Sequence, residues 1–466
     1  MRQVNVGTSA SLAQVPDLAI LSVHTSPLAQ PGRADAGGMN VYVRELATAL
    51  ARSGARCEVF TRRDDPSLPT SEEVEPGFRL HFVEAGPPAP LPKEQLPGAL
   101  AEWAARVEER LVSLRPHGPA NLGDGVVLAK KPVDVVHANY WMSAVAGHAL
   151  KHSLGLPLVT AFHTLERVKA QAGQTEPLLA ETRATAEAVA VRCSDALVVS
   201  SEAEAEDLVG LYGADPARIE LVRPGVDRAL FSPGDQSQAR REIGLPEDAP
   251  VVLWVGRIQP LKGLVTAVAA TAQLHRSAGR AGEAHLVVVG GPSGQSGQAE
   301  LGAALDAVAR WGLEDYVTFV PPQRHELLSS YYRAADVCCV PSRTESFGLV
   351  ALEAAACGAP VVASAVGGLA RLVDHGRTGF LVRPGDAEEL AHFLRKLLED
   401  RALARSMGLA ARRRSANYTW GEAAAKVVGL ARSLRGRELV DCGEHGFAPL
   451  GFGPNATQVG TSQRLA

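Results

Sequence analysis

Two carboxylates lie eight positions apart in Glu345-Ser346-Phe347-Gly348-Leu349-Val350-Ala351-Leu352-Glu353. The stretch follows a predicted strand, Val337-Cys338-Cys339-Val340-Pro341, and opens a predicted helix that runs to about Cys357. Gly358 and Pro360 stop that helix, and Val361-Val362-Ala363 begins the next strand. Ser346 reads as an N-cap, which leaves the amides of Phe347, Gly348 and Leu349 without partners inside the helix. Free amides at a helix start, beside a glycine that permits close approach, suit an anion. Glu345 lies just before that start and Glu353 two turns inside. One carboxylate can face a sugar ring and the other a ribose, with a diphosphate between them. Two glutamates at this spacing are ordinarily solvated. Glu353, however, is flanked by Val350, Ala351, Leu352, Ala354, Ala355 and Ala356, where an unpartnered carboxylate is costly to bury.

Cations accompany the carboxylates. Gly256-Arg257-Ile258-Gln259-Pro260-Leu261-Lys262-Gly263 follows the predicted strand Val251–Val255. Arg257 and Lys262 therefore sit at the carboxyl end of a parallel strand, where open α/β sheets bind ligands. A diphosphate carries about two to three negative charges, more than a helix dipole of roughly +0.5 offsets; two bases would match it. Two glycine turns, Asp35-Ala36-Gly37-Gly38-Met39-Asn40 and Val289-Gly290-Gly291-Pro292-Ser293-Gly294, also follow strands and let backbone approach a ligand. His163 follows the strand Leu158–Ala161. Its ordinary reading is a hydrogen-bonded structural histidine.

These groups must be held by a long α/β chain. Its 466 residues exceed one ordinary core, and two domains of about 200 residues each are expected. The chain is 46% hydrophobic and 21% charged, with 47 Lys and Arg against 51 Asp and Glu, a net charge of −4. No basic surplus points to nucleic acid or to an anionic membrane. The cysteines, Cys57, Cys193, Cys338, Cys339, Cys357 and Cys442, form no C-x-x-C pair and read as reduced thiols of a cytoplasmic protein. No apolar run reaches the length of a membrane span, and Leu18-Ala19-Ile20-Leu21 is too short for a signal-peptide core.

Continuous apolar runs predict buried parallel strands at Leu18–Val23, Cys57–Thr61, Val133–His137, Leu158–Ala161, Ala196–Ser200 and Ile219–Val222. Helices are predicted at Asn40–Arg52, Gly98–Leu114, Ser143–Leu154, Leu178–Arg192 and Ala203–Leu211. After a Pro/Gly break near residue 230 the pattern restarts with Val251–Val255, His285–Val289, Val317–Phe319, Val337–Val340, Val361–Ala363 and Gly379–Val382. Helices at Glu388–Leu398, Ala402–Arg413 and Gly421–Ser433 complete it. The expectation is α/β with two Rossmann-like, doubly wound domains, residues 1–228 and 229–420. A helix at 421–438 would cross back to the first, and 439–466 would be a loosely ordered tail. Asp64–Pro76 and Pro116–Lys131 read as surface loops.

The motifs together resemble the GT-B retaining glycosyltransferases of family 4. The resemblance rests on Gly37-Gly38-Met39-Asn40, Gly256-Arg257 with Lys262, Gly290-Gly291 and the Glu345/Glu353 pair, and covers roughly residues 17–430. Within that family the chain is most similar to members that move N-acetylglucosamine from UDP-GlcNAc to inositol phosphate in mycothiol formation. Residues carrying this nearer likeness are Val23-His24-Thr25-Ser26-Pro27, Asp35 through Leu46, His163-Thr164-Leu165 with Val168-Lys169, Gly256 through Lys262, Gly290 through Gly294 and Ser346 through Glu353. The resemblance implies an N-terminal domain that binds a phosphorylated polyol or sugar and a C-terminal domain that binds a UDP-sugar. It implies acceptor contacts from Lys93, Tyr140, Thr164 and Arg183. Taken singly, Lys93 and Arg183 read as surface charges and Tyr140, beside Trp141, as core packing. His163 is implied near the sugar C6 hydroxyl, where it would orient the donor and stabilise charge at the anomeric carbon. Arg257 and Lys262 would neutralise departing UDP, with Glu345 on the sugar and Glu353 on the ribose. Further donor contacts are implied from Gly38, Asn40, Gly256, Gly291, Ser346, Phe347, Gly348 and Leu349, with Arg324 beside the base. No Asp-x-Asp motif is placed to carry the diphosphate, so no metal or other cofactor is required, magnesium remaining optional. A homodimer is compatible with this reading. The chain departs from the family pattern at His137-Ala138-Asn139, at Thr164-Leu165-Glu166-Arg167 and around Arg183, all on the acceptor side. Alternatives are a family member using UDP-glucose or another nucleotide-sugar with a sugar-phosphate or lipid acceptor, and an isomerase like UDP-GlcNAc 2-epimerase.

Overall fold

A computed structural model of the chain describes residues 15–32, 35–114, 120–122, 126–128, 131–173 and 178–442. Two sheets dominate it. The first has eight strands in the order Ile219–Leu221, Ala196–Val199, Leu158–Ala161, Val135–Asn139, Leu18–Leu21, Cys57–Arg62, Phe78–Val83, Ser71–Glu75. Leu18 pairs in parallel with both Cys57 and Val135. Strand order therefore reverses beside Leu18–Leu21, and a crevice opens at the carboxyl ends there. The second sheet has six strands in the order Val317–Val320, His285–Val289, Val251–Val255, Val337–Val340, Val361–Ser364, Gly379–Val382. Its reversal lies between Val251–Val255 and its two parallel neighbours, His285–Val289 and Val337–Val340.

The central strands are short and almost wholly buried, because helices cover both faces of each sheet. This is why continuous Val/Leu/Ile runs located them in the sequence. Two expected surface loops turn out otherwise. Asp64–Pro76 contains the strand Ser71–Glu75, antiparallel to Phe78–Val83 at the sheet edge. Its Ser-Glu-Glu-Val-Glu composition has no apolar run, which suits an edge facing water and hides it from pattern reading. Within Pro116–Lys131, Ala120–Leu122 and Val126–Leu128 pair antiparallel.

The last helix, Trp420–Leu434, lies against the helix Gly38–Arg52 of the first unit. Trp420, Ala424, Val427 and Leu434 share one apolar cluster with Tyr42, Val43, Leu46 and Leu50. Gly225, in the connection between units, passes so close that a Cβ would fall 2.1 Å from the Trp420 nitrogen. Most of the expected loose tail, residues 443–466, lies outside the described residues. Its start is docked: Val440 donates its amide to Asp195 Oδ1 at 2.7 Å and accepts from the buried Lys151 ammonium at 2.9 Å. All six cysteines are unbridged. Among the described residues no helix is long and apolar enough to cross a membrane.

Candidate active site

The two sheets turn their carboxyl edges toward one cleft of about 1010 Å3. That is the upper end of the usual range for small-molecule sites, roughly 300–1,000 Å3, and enough for two substrates side by side.

The second unit supplies the loop Glu345–Gly348 and the helix Leu349–Cys357. The helix is capped by Gly348 at φ 104°, not by Ser346, and Leu352 donates its first hydrogen bond, to the Gly348 carbonyl at 3.0 Å. The amides without a helical partner are thus those of Leu349, Val350 and Ala351, two residues later than the sequence suggests. A glycine is needed there: its φ is left-handed, and a Cβ would lie 2.5 Å from Leu369 Cδ2. Ser346 is employed elsewhere. Its hydroxyl donates across the cleft to the His163 carbonyl, and its own carbonyl accepts from the Ser201 hydroxyl at 2.8 Å. It joins the two units.

Lys262, at the end of the turn Pro260–Lys262, donates to Glu345 Oε2 at 2.5 Å. Arg257 reaches the glycine loop of the first unit, donating to the Asp35 carbonyl at 3.4 Å, with Asp35 Oδ1 3.9 Å away. Gly37 allows that approach, since a Cβ would lie 2.8 Å from Arg257 Nε. Gly38 faces Leu349 at the helix start. Gly38, Gly256, Arg257, Lys262, Glu345, Ser346, Phe347, Gly348, Leu349 and Glu353 all line the cleft.

Glu353 is buried with both oxygens engaged: Oε1 with His325 Nε2 and Oε2 with the Tyr332 hydroxyl, each at 2.8 Å. Burial would lower the His325 pKa, but Glu353, with Glu45 and Glu326, more than offsets this and raises it. The sequence reading missed His325 and chose its neighbour Arg324. Arg324 instead points to solvent, its side chain 73% exposed beside Glu326, while Gln323 and His325 line the cleft. Asn40 does not face the cleft either. Its Oδ1 accepts the Gly37 amide at 2.8 Å and its Nδ2 donates to Thr25 Oγ1 and the Ser26 carbonyl, so it shapes the glycine loop. Gly291 packs on Pro322 and Gly32 rather than lining the cleft.

The first unit supplies a cationic pocket. Arg183 is not a surface charge: it is 1% exposed and bonded to Glu187 at 2.7 Å and to Thr164 Oγ1 at 2.9 Å, with Glu166 3.3 Å away. Its guanidinium stands 4.9 Å from the Tyr140 ring centre, and the Lys93 ammonium 5.3 Å from the same ring. Tyr140 is buried, but not simply as packing, for its ring is sandwiched by charge and by His24 at 4.4 Å. Lys169, not chosen from the sequence, also lines this pocket. The pKa of His24 is driven well below the ordinary imidazole value, by burial first and then by Lys93, Arg257, His163 and Arg183. Positive charge from both units converges at that point.

Tyr140 (φ 76°) and His163 (φ 63°) are the non-glycine residues with positive φ among those described. They follow adjacent strands, Val135–Asn139 and Leu158–Ala161. Such backbone costs about 1–3 kcal/mol each and persists at sites where surrounding structure enforces it. His163 Nε2 contacts Asn139 Oδ1 at 2.9 Å. The amide oxygen accepts, so Nε2 carries the proton and Nδ1 keeps a lone pair. Burial, with a smaller contribution from His137, depresses the His163 pKa to about 3. The imidazole is neutral, with a lone pair at Nδ1 free to accept a hydrogen bond. Asn139, seen in the sequence only as a departure from a pattern, sets its tautomer.

Residues 36–230 match Glycosyltransferase Family 4, and residues 235–414 match Glycosyl transferases group 1. The chain belongs to the family 4 glycosyltransferases. It is 44% identical over 426 residues to a D-inositol 3-phosphate glycosyltransferase of Kineococcus radiotolerans, covering 88% of this chain and 94% of that protein. A protein of the same name from Actinosynnema mirum is 46% identical, covering 78% and 84%. Among solved structures, sucrose-phosphate synthase from Thermosynechococcus elongatus superposes with a TM-score of 0.79 at 36% identity, covering 90% of this chain and 99% of that one. The fold is GT-B, and the family assignment makes the protein a sugar-nucleotide-dependent glycosyltransferase.

Proposed function

We propose that this glycosyltransferase moves N-acetylglucosamine from UDP-GlcNAc to an inositol phosphate, with retention of anomeric configuration. The observation that carries the proposal is the pocket of Lys93, Lys169, Arg183, Thr164 and Tyr140 facing the Arg257/Lys262 pair across the cleft. A cleft that gathers cations from both units suits two phosphorylated substrates. The relatives named D-inositol 3-phosphate glycosyltransferase support the acceptor.

In this reading residues 1–228 hold the acceptor and 229–420 the donor. The diphosphate sits on the amides of Leu349 and Val350, with Arg257 and Lys262 offsetting its charge as the sugar departs. Glu345 bonds the sugar hydroxyls. Glu353 receives the ribose by sharing a carboxylate now bonded to His325 and Tyr332. His163 accepts a sugar hydroxyl at Nδ1. The acceptor hydroxyl attacks on the leaving-group face, the bond from anomeric carbon to phosphate oxygen breaks, and that oxygen takes the acceptor proton. Unbridged cysteines and a nucleotide-sugar donor favour a reducing, cytoplasmic setting.

A second reading, transfer of glucose from UDP-glucose to a sugar phosphate, is favoured by the likeness to sucrose-phosphate synthase. One experiment separates them. The protein is incubated with each donor and each acceptor in all four pairings, and products are read by mass. A GlcNAc–inositol phosphate product formed only from the first pairing supports the proposal. Product only from UDP-glucose and a sugar phosphate replaces it with the second reading. Donor hydrolysis or isomerisation without acceptor rejects both.

A further inference from the structure

His148 and His152 stand one turn apart on the helix Trp141–Leu154, with Nε2 atoms 3.1 Å from each other. His148 is eight residues beyond Tyr140, roughly 12 Å along the helix axis and away from the cleft. Cys442 Sγ lies 3.2 Å from His148 Nε2 and 3.0 Å from His152 Nε2. Cys193, the last residue of the helix Ala180–Cys193, is buried close to Cys442, and both are unbridged. Three lone-pair atoms thus aim at one point on the surface. Protons alone can satisfy these contacts, but two imidazoles and a thiol are also the donor set of a tetrahedral zinc-class site. Around such an ion, at about 2.1 Å from nitrogen and 2.3 Å from sulfur, the ligand atoms would stand roughly 3.4–3.6 Å apart. The observed triangle is a few tenths of an ångström tighter, so small rotations of the exposed His152 and of the Cys442 side chain are needed to admit the ion.

Cys442 is presented by a buried network. The Lys151 ammonium bonds Asp195 Oδ1 and the Val440 carbonyl, both at 2.9 Å, and the Cys193 carbonyl at 2.8 Å. The Val440 amide returns to Asp195 Oδ1 at 2.7 Å. The segment after the last helix is therefore held in register against the first unit two residues before its thiol.

We propose that His148, His152 and Cys442 bind a zinc-class divalent ion, its fourth position open to solvent, and that the ion staples the C-terminal arm to the first unit. Binding transfers the Cys442 thiol proton to solvent and uses both imidazoles in their neutral form.

The full-length protein, reduced, stripped with a chelator and freed of it, is titrated with Co2+ and then Zn2+. One equivalent of Co2+ should bind with thiolate-to-metal charge transfer and tetrahedral visible bands, which Zn2+ bleaches. Zn2+ should raise the melting temperature. Cys442→Ser should abolish the charge-transfer band and weaken Zn2+ binding at least about tenfold, and His148→Gln with His152→Gln should abolish uptake. Should either variant fail to fold, His152→Gln alone, at an exposed position, carries the test through the same tenfold loss. Absence of stoichiometric uptake overturns the proposal. So does uptake that survives these substitutions unchanged, or a Cys193–Cys442 disulfide found by mass in protein purified without reductant.

Discussion

Removing the Lys262 ammonium separates a catalytic charge from a structural one. Lys262 and Glu345 meet at 2.5 Å, with side chains 28% and 18% exposed. An ion pair so placed contributes about 1 kcal/mol or less to stability. Lys262→Ala should therefore lower the melting temperature by only about 2–4 °C in a unit of this size. Its effect on transfer should be far larger. One charge-assisted contact to the departing diphosphate, about 2–3 kcal/mol, corresponds to a roughly 30- to 150-fold fall in kcat. The loss belongs in kcat because negative charge on the leaving oxygen grows only as the bond breaks. The structure adds a second consequence. Without Lys262, the Glu345 carboxylate faces the diphosphate with its partner gone and repels it. Glu345→Gln placed on the Lys262→Ala background should then recover about 1 kcal/mol, a factor of about five, although it impairs the parent enzyme. UDP release at saturating donor and acceptor, read beside thermal unfolding, provides both numbers. A Lys262→Ala enzyme that keeps its melting temperature and a kcat within about threefold of the parent refutes the charge argument. Strict additivity of the two substitutions refutes the coupling.

Three other outcomes can be checked. Lys93→Met should raise the acceptor KM by roughly 10- to 100-fold, the value of one contact to a charged phosphate, while leaving the donor KM unchanged; an equal effect on both would move Lys93 out of the acceptor pocket. His163 and His137 have pKa values lowered to about 3 and about 4, burial being the main cause. The unfolded chain, with imidazoles near 6.5, binds more protons between those values, so stability is present above about pH 6.5 and lost as pH falls toward 4. Denaturant unfolding at pH 8 and pH 5 should differ by on the order of 2 kcal/mol for each of these histidines, and His137→Leu should remove its share; a pH-independent unfolding energy would contradict their burial as neutral groups. Gly348→Ala should distort the helix start, since the residue has φ 104° and its Cβ would press on Leu369; donor binding measured by calorimetry should fall with little change in acceptor binding, and unaltered affinity would show the free amides are not the anion site.

Much of the architecture was readable along the chain. Strands such as Val251–Val255 and Leu158–Ala161, wholly apolar and bounded by turns, announce themselves because burial on both faces demands it. The edge strand Ser71–Glu75 did not, since its pairing with Phe78–Val83 is made by backbone and its mostly polar side chains are only partly buried. Motifs near strand ends pointed to Gly38, Arg257, Lys262, Glu345 and Glu353, and all five line the cleft. Arg324 is expected beside the base, yet the turn points it to solvent and its neighbour His325 to Glu353. Ser346 resembled a cap by residue type, but the helix starts at Leu349 and the serine bonds to the other unit.

Local pattern alone settled the alternation of strands and helices, the two-unit plan, and the glycines at strand ends, because each depends on neighbours within a few positions. Tertiary structure decided which charge meets which. It paired Lys262 with Glu345, set Arg183 between Glu166 and Glu187 beneath Tyr140, and gave His163 to Asn139. Those contacts depend on strand order and on the rotation of each helix about its axis. Neither leaves a periodic trace in the chain, and both are fixed only when the two sheets and their helices pack.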